Sequence, residues 1–123
     1  MIIVTVERAS GACVVRLGGC FEPADDPSRL AADLIRDAGG DPLLVDLEGM
    51  DPVVCRQTEA LMDVLARSPR CATTVLVHPD LETRRVLRAG SHGLSVVPSH
   101  DLALDGRFAS ALVANGSEQK ETS

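Results

Sequence analysis

Apolar and polar positions alternate over Ile2–Glu7, and Cys13–Leu17 is a second short apolar run. Both predict strands, joined by a turn at Ala9–Ala12 in which Ser10-Gly11 is the break. Cys20–Asp26 reads as a loop. Asp26 followed by Pro27 fits a helix N-cap with proline at the first helical position. From there Leu30, Ala31, Leu34, Ile35 and Ala38 recur at helical spacing up to Gly39-Gly40. On the wet face of that helix, Arg29 and Asp33 stand four apart, spacing that predicts a solvated ion pair. Leu43–Leu47 is apolar except for Asp46, the pattern of a central strand covered on both sides. A helix is expected from about Val54 to Arg67, with Val54, Leu61, Val64 and Leu65 inward and Arg56, Glu59 and Asp63 in water. Ser68-Pro69 ends it. Ala72–Val77 predicts another strand, and His78-Pro79 leads into a helix through Arg88 that Gly90–Gly93 ends. Leu94–Val97 supplies a last strand. Pro98-Ser99 then opens a final helix, with Leu104, Phe108, Ala111 and Leu112 spaced to face the core.

The predicted order is β-β-α-β-α-β-α-β-α. From Leu43 onward strands and helices alternate through short links, which calls for parallel neighbours, right-handed crossovers and helices covering the sheet. The 123 residues make one domain, expected over 1–114, and Asn115–Ser123 is a polar tail without an apolar anchor. No internal repeat is visible.

Composition narrows the function. Two Phe and no Tyr or Trp leave almost nothing for stacking bases or caging cations. The net charge is −6, with one lysine against eleven arginines, the wrong balance for gripping a phosphate backbone. Nucleic acid is therefore not an expected partner. The opening MIIVTVERASG is too short and too alternating for a signal peptide, and no apolar run approaches the ~20 residues that span a bilayer. A cytoplasmic protein off the membrane is the expectation. The cysteines, Cys13, Cys20, Cys55 and Cys71, contain no C-x-x-C, and His78, His92 and His100 show no ligand spacing. They read as structural thiols, with no metal or other cofactor expected.

The most informative stretch is Leu43–Leu65, a strand running through an acidic, proline-containing turn into a helix start. Such junctions expose unsatisfied N–H groups of the first helical turn. Cys55, Arg56 and Gln57 stand there, with no serine, histidine or glycine-rich cradle. A helix dipole can acidify the Cys55 thiol, but a nucleophile also needs a base, for which His78 at the end of the following strand or a nearby carboxylate is the candidate. Arg56 opposes the dipole in the first turn, so it is expected either to pair with Asp51 or Glu59 or to meet an acidic partner. Asp46, Glu48 and Asp51 cluster at the strand end without the phosphate loop that usually accompanies Mg²⁺. Asp25-Asp26 suit capping. Arg84, Arg85 and Arg88 form a positive stretch near a helix C-terminus, a solvated face or a docking patch. Gly18-Gly19 and Gly39-Gly40 read as turn material.

The element order over Ile2 to Val113, together with several local patterns, resembles the STAS domain of bacterial anti-sigma factor antagonists. Val45-Asp46-Leu47-Glu48-Gly49-Met50 looks like that family's strand end, and His78-Pro79-Asp80-Leu81 followed by Arg84-Arg85-Val86-Leu87 is similar to its later helix. Val97-Pro98-Ser99 with Leu102-Ala103-Leu104 matches its closing segment. The resemblance implies a STAS-like mixed sheet with central parallel strands joined by helical crossovers. It also implies a non-enzymatic, protein-binding regulator whose partner is an anti-sigma factor that is also a kinase, or another signalling protein. In the family, an Asp-Ser-Ser/Thr-Gly loop switches partners when its hydroxyl is phosphorylated. Val54, Cys55, Arg56 and Gln57 occupy those four positions here, and Arg56 can neither accept a phosphoryl group nor imitate one. The nearest hydroxyl, Thr58, would face another direction, so no phosphorylation site is expected. Partner binding is placed on the Gly49–Leu61 surface, at Asp51, Cys55, Arg56, Gln57, Glu59 and Ala60. A small enzyme with Cys55 as nucleophile and a scaffold subunit of a signalling assembly are the alternatives. The sequence leaves monomer and homodimer both open.

Overall fold

Ser10 and Gly11, at φ 53° and 78°, close a two-residue loop of the kind whose twist matches flanking strands. So tight a loop lets pairing run up to its edges. β1 (Ile2–Ala9) and β2 (Ala12–Gly19) are therefore each longer than the pattern suggested, antiparallel, with Ala9 opposite Ala12. The computed structural model describes residues 1–69, 71–90 and 93–100 of the chain. Gly18 and Gly19 belong to β2 and are not turn residues.

β2 runs parallel to β3 (Leu43–Met50), with a register shift between Arg16 and Gly18. β3 is parallel to β4 (Thr74–Val77), and β4 to β5 (Ser95–Val97), giving a five-stranded sheet in sequential order. The residues expected to start β4, Ala72 and Thr73, instead form a short 3-10 turn with Cys71. Parallel neighbours need crossovers, and three helices supply them: α1 (Pro27–Ala38), α2 (Arg56–Arg67) and α3 (Leu81–Gly90). Asp26 caps α1, its Oδ1 accepting the N–H groups of Ser28 at 3.0 Å and Arg29 at 3.2 Å. Asp33 pairs with Arg36 at 2.9 Å, one turn on, instead of with Arg29.

Each face of the sheet has its own apolar layer. Leu17, Val45 and Leu47 pack with Leu34 of α1 and with Leu61 and Leu65 of α2, while Val14, Leu44, Val75 and Val77 are buried on the opposite face. Burial from both sides explains why Leu43–Leu47 shows no alternation. The helix expected beyond Pro98-Ser99, with Leu104, Phe108, Ala111 and Leu112, lies past His100, outside the described residues. Among the described residues no helix is long and apolar enough to cross a membrane.

The arginines of α3 include two exposed ones, Arg85 and Arg88, and all three make contacts within the chain. Arg84 donates to the carbonyls of His78 at 3.0 Å and Pro79 at 2.7 Å, Arg88 donates to Val96 O at 2.8 Å, and Arg85 pairs with Glu82. Two of the three guanidiniums therefore tie α3 to neighbouring backbone. The helix starts behind Asp80, whose carboxylate accepts the Thr83 hydroxyl at 2.7 Å and the Thr83 N–H at 2.9 Å. Those bonds, the hydroxyl foremost, hold the Asp80 carboxyl below its ordinary range. A depressed native pKa means stabilisation that is complete above the ordinary aspartate pKa and is lost as pH falls through the lowered one. Asp80→Ala is accordingly expected to lower the melting temperature near neutrality. The difference from wild type should shrink as pH falls below the ordinary aspartate range, as thermal melts on the acid side will show.

Candidate functional site

The β3–α2 junction begins where β3 leaves the sheet. Asp51 still donates its N–H to Gly19 O at 2.9 Å, and the Asp51-Pro52 peptide is cis. Val53 packs against the core, whereas Val54 is 39% exposed. α2 starts at Arg56, two residues later than Val54. Cys55 is the N-cap in extended conformation (φ −156°, ψ 171°). The expected inward role of Val54 is thus wrong, and the buried stripe is Thr58, Leu61, Met62 and Leu65, with Val64 only partly covered. Cys55 gives α2 no side-chain cap. Its carbonyl accepts the Glu59 N–H at 3.0 Å, but no side chain among the described residues serves the first-turn N–H groups as aspartate does in α1.

Around this open turn Asp51, Arg56 and Glu59 are exposed, and Cys55, Gln57 and Ala60 are half-buried. The six residues singled out from sequence thus lie in one continuous stretch at the head of α2. The expectation that Arg56 pairs with Asp51 or Glu59 is not met, since it has no ion pair with any described residue. Thr58 is 0% exposed, its hydroxyl 3.3 Å from Cys55 Sγ. Among the described residues the thiol therefore bonds to a hydroxyl and to no base. His78, the nearest histidine in sequence, instead accepts the Asp80 N–H on Nδ1 at 3.1 Å, at the head of α3. Cys13 is a buried thiol pushed upward in pKa by desolvation, and Cys13, Cys20 and Cys55 are all free.

The strand-end carboxylates do not converge. Asp46 lies on the sheet face opposite α1 and α2, 7% exposed. Its Oδ1 accepts the Glu48 N–H at 2.9 Å, while its Oδ2 lies 2.5 Å from His100 Nε2 and 3.9 Å from Arg16 Nε. Arg16 also pairs with Glu7, and Arg16 and Asp46 line a cleft of about 350 Å³ together with Thr5 and Gly18. Sequence reasoning singled out neither Arg16 nor His100. The available signal was Asp46 itself, a charge inside an apolar strand, which demands a partner. No three of His, Cys, Asp and Glu among the described residues are grouped to hold a metal ion.

No family model matches this sequence, and no curated protein does. Among solved structures, the chain is similar to the crystal structure of an anti-sigma factor antagonist from Mycobacterium paratuberculosis. The two share 20% identity at a TM-score of 0.65, over 86% of this chain and 93% of that one. At that identity the likeness concerns the fold, a STAS-like α/β arrangement of one antiparallel and three parallel strand pairings with helical crossovers.

Proposed function

We propose that this chain is a non-enzymatic regulator that binds another protein through the β3–α2 junction, in the manner of an anti-sigma factor antagonist. The observation that carries this reading is the open first turn of α2, ringed by Asp51, Arg56 and Glu59, with Arg56 exposed and unpaired among the described residues. The shared fold supports it. The partner is an anti-sigma factor or a kinase-like signalling protein in the cytoplasm. Arg56 occupies the position of the family's phosphate acceptor, and the Thr58 hydroxyl is buried against Cys55. Binding is therefore constitutive at this turn, with no phosphoryl switch.

The test is titration calorimetry of the chain against candidate anti-sigma factors. Arg56→Glu reverses the charge offered to an acidic contact and is expected to weaken binding about tenfold or more. An unchanged affinity, in a variant that melts like wild type, overturns the assignment of the site.

A further inference from the structure

Among the described residues, β1 leaves one edge of the sheet unpaired along its full length. Ala9 and Ala12 flank a two-residue loop, so they form the hydrogen-bonded pair beside it, and every second residue of β1 turns towards β2. Bonds at the hairpin's two ends fix the same phase. Cys20 N–H donates to Met1 O at 3.3 Å, whereas Cys13 N–H, opposite Arg8, turns away to Pro42 O at 2.8 Å. The odd-numbered residues of β1 thus bond to β2. Ile2, Val4, Val6 and Arg8 aim N–H and C=O outward, where no described residue forms a strand beside them.

Natural edges are guarded by lysine, proline, bulges or shortness. β1 is eight residues long with none of the first three, and Ile3, Val4 and Val6 are 60%, 41% and 43% exposed. Its two charges are matched inside the chain, Glu7 by Arg16 and Arg8 by Asp41 at 2.6 Å. They are not repulsive guards.

We propose that β1 pairs antiparallel with β1 of a second copy of this chain, about a two-fold axis at Thr5. Outward-facing groups can meet only if even-numbered residues face even-numbered ones. Of the registers this allows, the one that sets Ile2 opposite Arg8, Val4 opposite Val6 and Thr5 opposite Thr5 engages all four outward residues of both copies. No charge meets a like charge in it. The edge is complementary to itself, as an isologous contact requires. Val4 and Val6 stand opposite Leu17 and Val15, on the face that α1 and α2 cover, so pairing also withdraws both valines from water. None of the junction residues takes part, and the inference does not rest on the proposed partner site.

An interface of one strand per copy lies at the small end of specific contacts, so the dimer is expected to dissociate in the range of roughly ten to a few hundred micromolar. Sedimentation velocity on the full chain should show mass rising from monomer towards dimer across that range. Val6→Pro deletes an outward N–H that the β1–β2 ladder does not use. It is expected to raise the dissociation constant about tenfold or more, with circular dichroism checking the fold. A second pair of variants reads the register directly. Val4→Lys with Val6→Lys sets like charges across the axis and should abolish the dimer, whereas Val4→Lys with Val6→Glu sets opposite charges and should restore it. A wild type that stays monomeric throughout overturns the proposal. So does a dimer indifferent to both pairs, or an edge that takes an extended peptide of another protein while refusing its own copy.

Discussion

Truncation of Leu61 to alanine is expected to cost about 2–5 kcal/mol of folding stability. Leu61 is 1% exposed and sits in the layer shared by α1, α2 and the sheet. It stands in the second turn of α2, so it pins the helix that carries the junction to the core. Removing three side-chain carbons forfeits their transfer energy, and the flanking Leu17, Leu34 and Leu65 cannot all close the void, because strands and helices hold their backbones. A domain of this size has only about 5–15 kcal/mol in total, so the melting temperature should fall by roughly ten degrees or more. Val64→Ala, on the half-covered flank of the same helix, should lose much less. Equilibrium urea unfolding of both variants decides the matter. A Leu61→Ala loss no larger than that of Val64→Ala would show that α2 is not anchored there.

Gly49→Val is expected to be comparably damaging for the opposite reason, excess rather than missing volume. A Cβ on Gly49 would stand 3.0 Å from Leu17 O and 3.3 Å from Gly18 Cα. Both are backbone atoms, so no side chain can swing aside. β3 would have to draw away from β2 beside the existing register shift between Arg16 and Gly18. Overpacking of this kind costs about 1–3 kcal/mol for small additions, and the branched side chain of valine should reach the upper end. Gly49→Ala should fall between valine and wild type. Because Gly49 is the penultimate residue of β3, the strain falls where the chain turns into the site. Amide exchange should therefore quicken first at Asp51, whose N–H bonds to Gly19 O. Denaturation midpoints identical across the three proteins would show that the strands absorb the added carbon.

Much of the fold is legible in residue types because the forces that build it act on residue types. The Asp26-Pro27 helix start, the continuous apolar run of β3 and the two-residue punctuation at Ser10-Gly11 all announce local preferences, and the structure carries each of them. What escapes notice depends on partners that a sequence does not print. Arg84 and Arg88 look like a solvated cationic face because their acceptors are main-chain carbonyls, which every residue has and no letter marks. Thr58 escapes notice as a core position because a hydroxyl residue does not register in an apolar stripe, and Val54, apolar but outside the helix, shifts the apparent start by two. The junction itself is visible as a strand-to-helix turn with unusual occupants. That Arg56 has no ion pair there among the described residues, with Asp51 and Glu59 near it in sequence, follows only from how the first turn is oriented.

The contact between Arg88 and the carbonyl of Val96 has a consequence for colloidal behaviour. Val97 O accepts the His78 N–H on the β4 side, so Val96 O turns outward, and the guanidinium already occupies it. β5 is also only three residues long. That border offers an incoming strand almost nothing, while β1 offers a full row of groups. A ribbon that can be extended from one border alone takes a single addition and is then exhausted. Open-ended fibre growth, the usual hazard of an unguarded edge, needs two sticky borders on every molecule, and the described residues supply one.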